Sequence, residues 1–418
     1  MEQGTVQAIP SPPATTTTST SLFVILPSSP HDPQPVPQAT MLLGLSLLRR
    51  NILTASRSGI NHIFVATAHP AEVQPELHGT IATVLSPHSP MVPLSGRLIL
   101  LTGNVLTSQE WINTVLKMPL TPDTVYCDGT SAAVMETADM NQVLSLISSE
   151  CHSTDVFTLL GHSFNVIPQK FAHEGRLALH SLEDIQKAEN WLLKRLVKSS
   201  ESFMSRHVER PISLAISRRL VWTSLTPNAM TVISLAIGLM SAPFFLSSQP
   251  GIQFIGGILF LAHSILDGCD GELARLKFKE SRWGGLLDFW GDNLVHISIF
   301  FCMGLGWSMS LQSSWPLWLS ASAIAGTLGS AWSVYRQTMK PKLKTGPLFI
   351  SVVRSTTTRL SQVMDTLGRR DFIYLVLLLS AFGKASWFLL PTAIGAPIFC
   401  AILLWLGHQE SYSQKETS

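Results

Sequence analysis

Four aspartates, arranged two and two, carry the strongest chemical signal in this chain. In "LDGCDGELAR" Asp267 and Asp270 stand three residues apart, and in "GLLDFWGD" Asp288 and Asp292 stand four apart. Residues at those spacings share one face of a helix, so each segment presents a pair of carboxylates. Between them "LKFKESRW" (276–283) reads as a short basic turn that brings the two faces together. Gly271 and Gly284 remove side chains where two helices, or a helix and a ligand, must approach closely. Carboxylates gathered in this way cannot all stay ionised without a counter-charge. Oxygen ligands, with no His or Cys at ligand spacing, favour Mg²⁺ or Mn²⁺ over zinc. A pair of such ions would clamp a diphosphate and stabilise charge on the attacking and leaving oxygens. A cluster of solvated charges at a helix end would require neither the matched faces nor the glycines.

The elements that must position these acids are apolar. Of 418 residues 46% are hydrophobic and only 13% charged, too greasy for ordinary soluble domains throughout. The net charge of +2, with no basic patch interleaved with aromatics, argues against nucleic acid as a partner. The five cysteines (Cys127, Cys151, Cys269, Cys302, Cys400) are scattered, which points to buried or lipid-facing thiols. Six stretches read as spans: 230–249, 251–266, 284–309, 315–335, 372–391 and 392–407. The links 276–283 and 336–371 are rich in Lys and Arg, whereas those near 248–252 and 309–314 have none. Positive loops stay cytoplasmic. The expected protein is therefore integral to the cell membrane and multi-pass, with both termini and the aspartates on the cytoplasmic side.

Residues 188–228 mix Trp191, Leu196, Phe203, Ile216 and Leu220 with many cations, which suits an amphipathic link lying in the membrane interface or a soluble linker helix. Residues 21–187 read as a soluble α/β domain. "SLFVIL" (21–26), "HIFVATA" (62–68), "ATVLS" (82–86) and "RLILLTG" (97–103) have the pattern of buried strands, and 41–59 that of a helix closed by Gly59. Alternation of strands and helices predicts a parallel sheet. Residues 1–20 read as a Pro/Thr-rich disordered leader, and 409–418 as a tail.

The two acidic segments together follow D-x-x-D-G-x-x-A-R-x8-G-x3-D-x3-D at every fixed position. In this the chain resembles the CDP-alcohol phosphotransferase (CDP-alcohol phosphatidyltransferase) family, over roughly 189–408. The resemblance implies an α-helical membrane domain of six transmembrane helices, spanning 229–408. It implies that Asp267, Asp270, Asp288 and Asp292 hold metal, as two Mg²⁺ or Mn²⁺ ions in that family's manner, with Asp292 also the general base. Gly271, Ala274, Arg275 and Gly284 would line the cytidine diphosphate pocket. The implied reaction is attack of an acceptor hydroxyl on the phosphorus nearer the alcohol of a CDP-alcohol, with CMP leaving. Such an enzyme serves phospholipid or phosphodiester biosynthesis and meets membrane lipid directly.

A phosphorylated acceptor needs cations; Arg336, Lys340, Arg369 and Arg370 are candidates, and equally positive-inside anchors. His263 and His296 lie one turn deeper than Asp267 and Asp292, as donors to carboxylates or as packing residues. Ser322, Gly326 and Ser330 form a small-residue stripe that suits helix packing, within one chain or in a homodimer.

The order of soluble α/β domain, link and membrane domain is also similar to a fused subgroup, of the inositol-1-phosphate cytidylyltransferase/di-myo-inositol-phosphate-phosphate synthase type, in which a nucleotidyltransferase-like domain comes first. Two departures bear on catalysis there. The loop after the first strand, "PSSPHDPQPVPQ", has no glycine and no Lys or Arg to hold a triphosphate. A later strand ends in Gly103-Asn104 where that family has Gly-Asp. The expectation is a degenerate nucleotidyltransferase-like domain, with Asp128 a candidate for a residual site. Two other readings stand beside this one. A bifunctional enzyme would also make its own CDP-alcohol. A transporter would carry its carboxylates toward the membrane midplane rather than at one edge.

Overall fold

A computed structural model describes residues 20–27, 36–85, 95–129, 131–149, 153–171, 175–197, 201–339 and 371–416. The chain divides into two compact units, at Glu189 and Asn190. The leader expected at 1–20 lies outside the described residues, apart from Thr20.

The first unit is built on β1 (Thr20–Leu26), β2 (Met41–Leu42), β3 (Leu45–Ser46), α1 (Leu47–Arg57), β4 (His62–Val65), α2 (Pro70–Leu77), β5 (Ala82–Val84), β6 (Gly96–Thr102) and β7 (Val105–Thr107). It continues through α3 (Gln109–Lys117), β8 (Thr124–Asp128), β9 (Ala132–Thr137), α4 (Met140–Ser149), α5 (Ser153–Ser163), β10 (Asn165–Pro168) and β11 (Arg176–Ala178), and the boundary between the units falls inside α6 (Asp184–Lys194). Seven strands form one sheet in the order β10-β8-β9-β6-β1-β4-β5. β1 lies parallel to β4 and β6, as the alternating pattern predicts, but β9 runs antiparallel to β6 and β8, so the sheet is mixed. β1 and β6 are apolar on both sides because both faces are covered. Phe23, Ile25, Ile99 and Leu101 pack with Ile52 of α1 and Ile112 of α3. The alternate residues Leu22, Val24, Leu98 and Leu100 pack with Val143 of α4 and Leu160 of α5.

The helix expected over 41–59 begins at Leu47. Leu43 and Gly44 both have positive φ and fold 41–46 into a two-stranded hairpin. Ser46 then caps α1, its Oγ accepting from the Arg49 amide at 3.2 Å.

The second unit is helical. A π-type turn (Ser205–Glu209) leads into α7 (Arg210–Leu220), followed by α8 (Pro227–Ser241), α9 (Pro250–Lys277), α10 (Arg282–Leu311), α11 (Trp315–Val334), α12 (Phe372–Ala381) and α13 (Leu389–Glu416). Among the described residues four helical stretches are long and apolar enough to cross a membrane: Pro227–Leu246, Pro250–Lys277, Arg282–Leu311 and Ala385–Gly407. α11 has 20 residues and α12 only 10. The outer faces carry large apolar side chains in the open, among them Ile255, Phe301, Trp318, Leu378 and Ile394. The interior is a separate cluster of Phe245, Phe260, Val295, Ile299, Met303, Val376 and Leu389. A helical unit with an apolar exterior as well as an apolar core is one solvated by lipid.

Two boundaries differ from those read in the sequence. The break between the last two spans is not at Pro391 but at Gly383, whose φ of 69° turns the chain; a Cβ there would come 2.8 Å from the Ser248 carbonyl oxygen and 3.1 Å from Pro250 Cγ. Pro391 falls in the first turn of α13, where a missing amide costs no helical hydrogen bond. The same helix runs on to Glu416, through the segment expected as a tail.

Candidate active site

α9 extends as one helix of 28 residues from an uncharged run into the first acidic segment. It stops at Phe278, which adopts the left-handed conformation with φ 56°. α10 starts after Ser281, whose Oγ accepts from the Gly284 amide at 3.0 Å. Half of "LKFKESRW" is therefore helical, and 278–281 makes the turn. So short a link folds α10 back beside α9 and sets the two acidic faces together. Lys277 anchors the corner, its Nζ donating to the carbonyls of Thr223 at 2.7 Å and Leu225 at 2.8 Å.

Asp267 of α9 and Asp288 and Asp292 of α10 each offer a carboxylate oxygen, all within 4.8 Å of one another. Asp267 and Asp270 are buried, at 6% and 8% exposure. Oδ1 of Asp288 is buried and receives no hydrogen bond. A buried anionic oxygen left without a donor is costly, and a hard cation among these three carboxylates would satisfy it. The donor set, all oxygen, fits Mg²⁺ or Mn²⁺. Asp270 is not in the trio. Its Oδ2 accepts a short hydrogen bond from the Thr231 hydroxyl of α8. It still lies close enough to add, with Asp267 and Asp292, to the negative field on Asp288.

His263 is buried behind this group. Its Nδ1 lies 2.9 Å from the Ser234 carbonyl and its Nε2 3.6 Å from Asp292 Oδ1. A carbonyl only accepts, so Nδ1 carries the hydrogen and Nε2 is the atom turned to the carboxylate. The His296 ring packs 5.6–6.4 Å from those of Phe260, Phe300 and Phe372.

The residues expected to line a nucleotide pocket flank the acids. A Cβ on Gly284 would come 2.6 Å from Asn228 Oδ1, at the start of α8. A Cβ on Gly271 would come 3.2 Å from Arg275 Nη1, so this guanidinium folds back over the glycine one turn before it. Ala274 is buried on the same helix. Of the acceptor candidates, Arg336 is exposed in the turn Tyr335–Met339 beyond α11. Lys340, Arg369 and Arg370 lie outside the described residues. The Ser322/Gly326/Ser330 stripe packs within the chain: Ser322 Oγ donates to the Ala393 carbonyl at 2.7 Å, and Gly326 faces the backbone of Ala396 and Pro397.

Thr231, Asn228 and Glu272 were not singled out by the sequence pattern. Thr231 is uncharged and lies 36 positions before the first acid, so nothing in spacing ties it to Asp270. Glu272 occupies a variable position of the motif, yet it is fully buried.

In the first unit, Asp128 is engaged structurally. It forms a close ion pair with Arg176 and accepts from the Phe171 amide at 3.0 Å. Asn104 is buried, its Nδ2 donating to the Leu179 carbonyl at 3.2 Å. The Gln38 amide donates to the Leu26 carbonyl at 2.8 Å and lies over Gly103, at the carboxyl ends of β1 and β6.

Comparison with known proteins places the acids in context. Residues 224–408 match the family model described as CDP-alcohol phosphatidyltransferase. The chain is 36% identical over 154 residues to a bifunctional IPC transferase and DIPP synthase of Thermococcus kodakarensis, covering 37% of this chain and 33% of that protein. It is 36% identical over 100 residues to an archaetidylinositol phosphate synthase of Pyrococcus horikoshii, covering 24% of this chain and 50% of that one. It thus spans about a third of the length of the bifunctional relative and half that of the second. The crystal structure of Mycobacterium tuberculosis phosphatidylinositol phosphate synthase with CDP-DAG bound is 16% identical, covering 47% of this chain and 94% of that one, with a TM-score of 0.35. The segment that carries both halves of the acidic site, residues 224–408, is a CDP-alcohol phosphatidyltransferase domain.

Proposed function

We propose that the protein transfers a substituted phosphate group from a CDP-alcohol to the hydroxyl of an acceptor alcohol and releases CMP. The observation that carries this reading is the meeting of Asp267, Asp288 and Asp292 from two helices within 4.8 Å. Asp267, Asp288 and Asp292 would hold divalent cation, with Asp270 beside them, and bound cations would neutralise the diphosphate. The chain's own part is positional and protolytic. Asp292 takes the proton of the acceptor hydroxyl as the new P–O bond forms. His263, fixed by the Ser234 carbonyl, lies behind Asp292 and can hold its carboxylate as the imidazolium, with Nε2 protonated as well as Nδ1. Gly271, Ala274 and Gly284 leave room for the nucleotide, and Arg275 lies over the first of them.

The names of the relatives point to a phosphorylated inositol as the acceptor class, and Arg336 is the described cation that suits its phosphate. The membrane unit is read as six spans with the acids and both termini cytoplasmic, since the basic links 276–283 and 336–371 fall on one side. The first unit is read as a nucleotidyltransferase-like domain without catalysis. Gln38 occupies the space above Gly103, Asp128 is tied to Arg176, and the loop after β1 has no cation. The names of the bifunctional relatives favour a second reading, in which the same chain also makes its CDP-alcohol.

The test is CMP release by the detergent-solubilised full chain with Mg²⁺ and a panel of CDP-alcohols and acceptors. Asp292→Asn is expected to lower turnover by roughly a thousandfold, the scale of a lost general base together with a lost ligand. Full activity in that variant would overturn the assignment. Pyrophosphate release from CTP and inositol phosphate by the same full chain would establish the bifunctional reading instead.

A further inference from the structure

α8 touches the acidic site from a third side. Near its start Asn228 Oδ1 lies over Gly284 of α10, 2.6 Å from where a Cβ would be. One turn later the Thr231 hydroxyl donates to Asp270 of α9. Deeper in the unit α8 is fixed by close packing. A Cβ on Gly291 would come 2.4 Å from Leu235, and one on Gly238 would come 2.9 Å from the His263 ring. At Asn228 the helix is exposed, and its course is held by polar contacts instead. Lys277, the last residue of α9, supplies two of them. Its Nζ donates to the carbonyls of Thr223 at 2.7 Å and Leu225 at 2.8 Å, in the turn that leads into α8. The next residue, Thr226, caps α8, its Oγ1 accepting from the Ala229 amide at 3.2 Å. The segment from Leu225 to Thr231 is thus tied to α9 at both ends, by Lys277 and by Asp270.

We propose that Lys277 is a positioning residue for nucleotide binding: by holding the turn at 223–225 it sets the first turn of α8, and so places Asn228 against Gly284 and Thr231 on Asp270. Both acceptors are backbone carbonyls, so the contact fixes the path of the chain rather than one side chain. A lysine suits the task because one ammonium carries several donors on a long stem and can serve two carbonyls together. Its charge also complements the carboxyl end of α9. A methionine has a similar apolar stem but no donor, so it would leave the start of α8 tied to α9 through Thr231 alone. Small displacements of positioning groups are costly where a ligand must be met from several helices at once. Lys277 falls among the eight variable residues between the two halves of the signature, so the motif itself gives it no role.

This inference rests on the CDP-alcohol reading, and its probe is CMP, the product common to every CDP-alcohol. Binding of CMP to the detergent-solubilised full chain with Mg²⁺ is measured by titration calorimetry, which reads affinity and the number of sites separately. Wild type is compared with Lys277→Met, Lys277→Gln and Lys277→Arg. The Kd for CMP is expected to rise about tenfold in Lys277→Met with the number of sites per chain unchanged. Lys277→Arg, whose fork has donors for both carbonyls, is expected to stay within about threefold of wild type. A merely structural role would lower the number of sites, as part of the protein misfolds, and leave the Kd of the remainder alone. A wild-type Kd in Lys277→Met, or fewer sites of wild-type Kd, would overturn the proposal. If Lys277→Met does not fold, Lys277→Gln decides, since it keeps a polar head on a shorter stem: a raised Kd supports the proposal and a wild-type Kd overturns it. Absence of CMP binding by wild type would defeat the CDP-alcohol reading itself, whereas wild-type binding that Lys277→Met leaves unchanged would defeat this inference alone.

Discussion

Thr231 reaches from α8 to Asp270 with a single hydroxyl, and that contact ties a neutral side chain to the first acidic pair. A hydrogen bond to an ionised group contributes about 1.5–3 kcal/mol. Thr231→Val keeps the branched shape and deletes the donor. Its kcat/KM for CMP release is expected to fall about tenfold to a hundredfold, whereas Thr231→Ser stays within about threefold of wild type. Wild-type kinetics in the Val variant would show that Asp270 needs no such support. The four aspartates were legible in the sequence because their spacing follows directly from helix geometry. Thr231 and Glu272 were not, because their partners lie on other helices and no local period encodes which side chains meet across a helix pair. Asp270 shows the limit from the other side: spacing places it on the face of Asp267, but the carboxylate trio is completed without it.

Among the elements, α11 and α13 approach most closely where side chains vanish. A Cβ on Gly326 would come 2.5 Å from both the Ala396 carbonyl carbon and the Pro397 nitrogen, and neither backbone atom can rotate away. In lipid, where no hydrophobic force drives helices together, such packing is a main source of association. Gly326→Ala is therefore expected to separate the helices at a cost of about 1–3 kcal/mol, read as a lower melting temperature in detergent. Gly395→Ala is the control, since nothing lies within 4 Å of its Cβ. Equal melting of the two variants would refute the close approach. Strands and spans were visible from their apolar runs, but ends were governed by single backbone conformations. Leu43 and Gly44 displaced the start of α1, and Gly383 rather than Pro391 marks the break before α13. Positive φ at a non-glycine residue such as Leu43 leaves no mark on composition, so those boundaries could not be read.

At the scale of the molecule, the question is whether the first unit contributes chemistry or only structure, and Asp128 separates the two. Its partner Arg176 has a side chain only 6% exposed, and it also donates to Ser131 Oγ at 2.8 Å. Its guanidinium stands 5.9 Å from the rings of both Trp111 and Phe171, so the ion pair ties β8 and β11 to α3 and to the chain at Phe171. Removing the carboxylate strands a buried cation, which costs about 3–5 kcal/mol. Asp128→Ala is thus expected to speed amide hydrogen exchange across 97–137 and lower the unfolding transition of this unit. If the unit is degenerate, CMP release from supplied CDP-alcohol should stay within about twofold of wild type, because the acids of α9 and α10 are untouched. A variant with normal exchange but lost turnover would mean that Asp128 acts in catalysis, and the structural account of its pairing with Arg176 would fail.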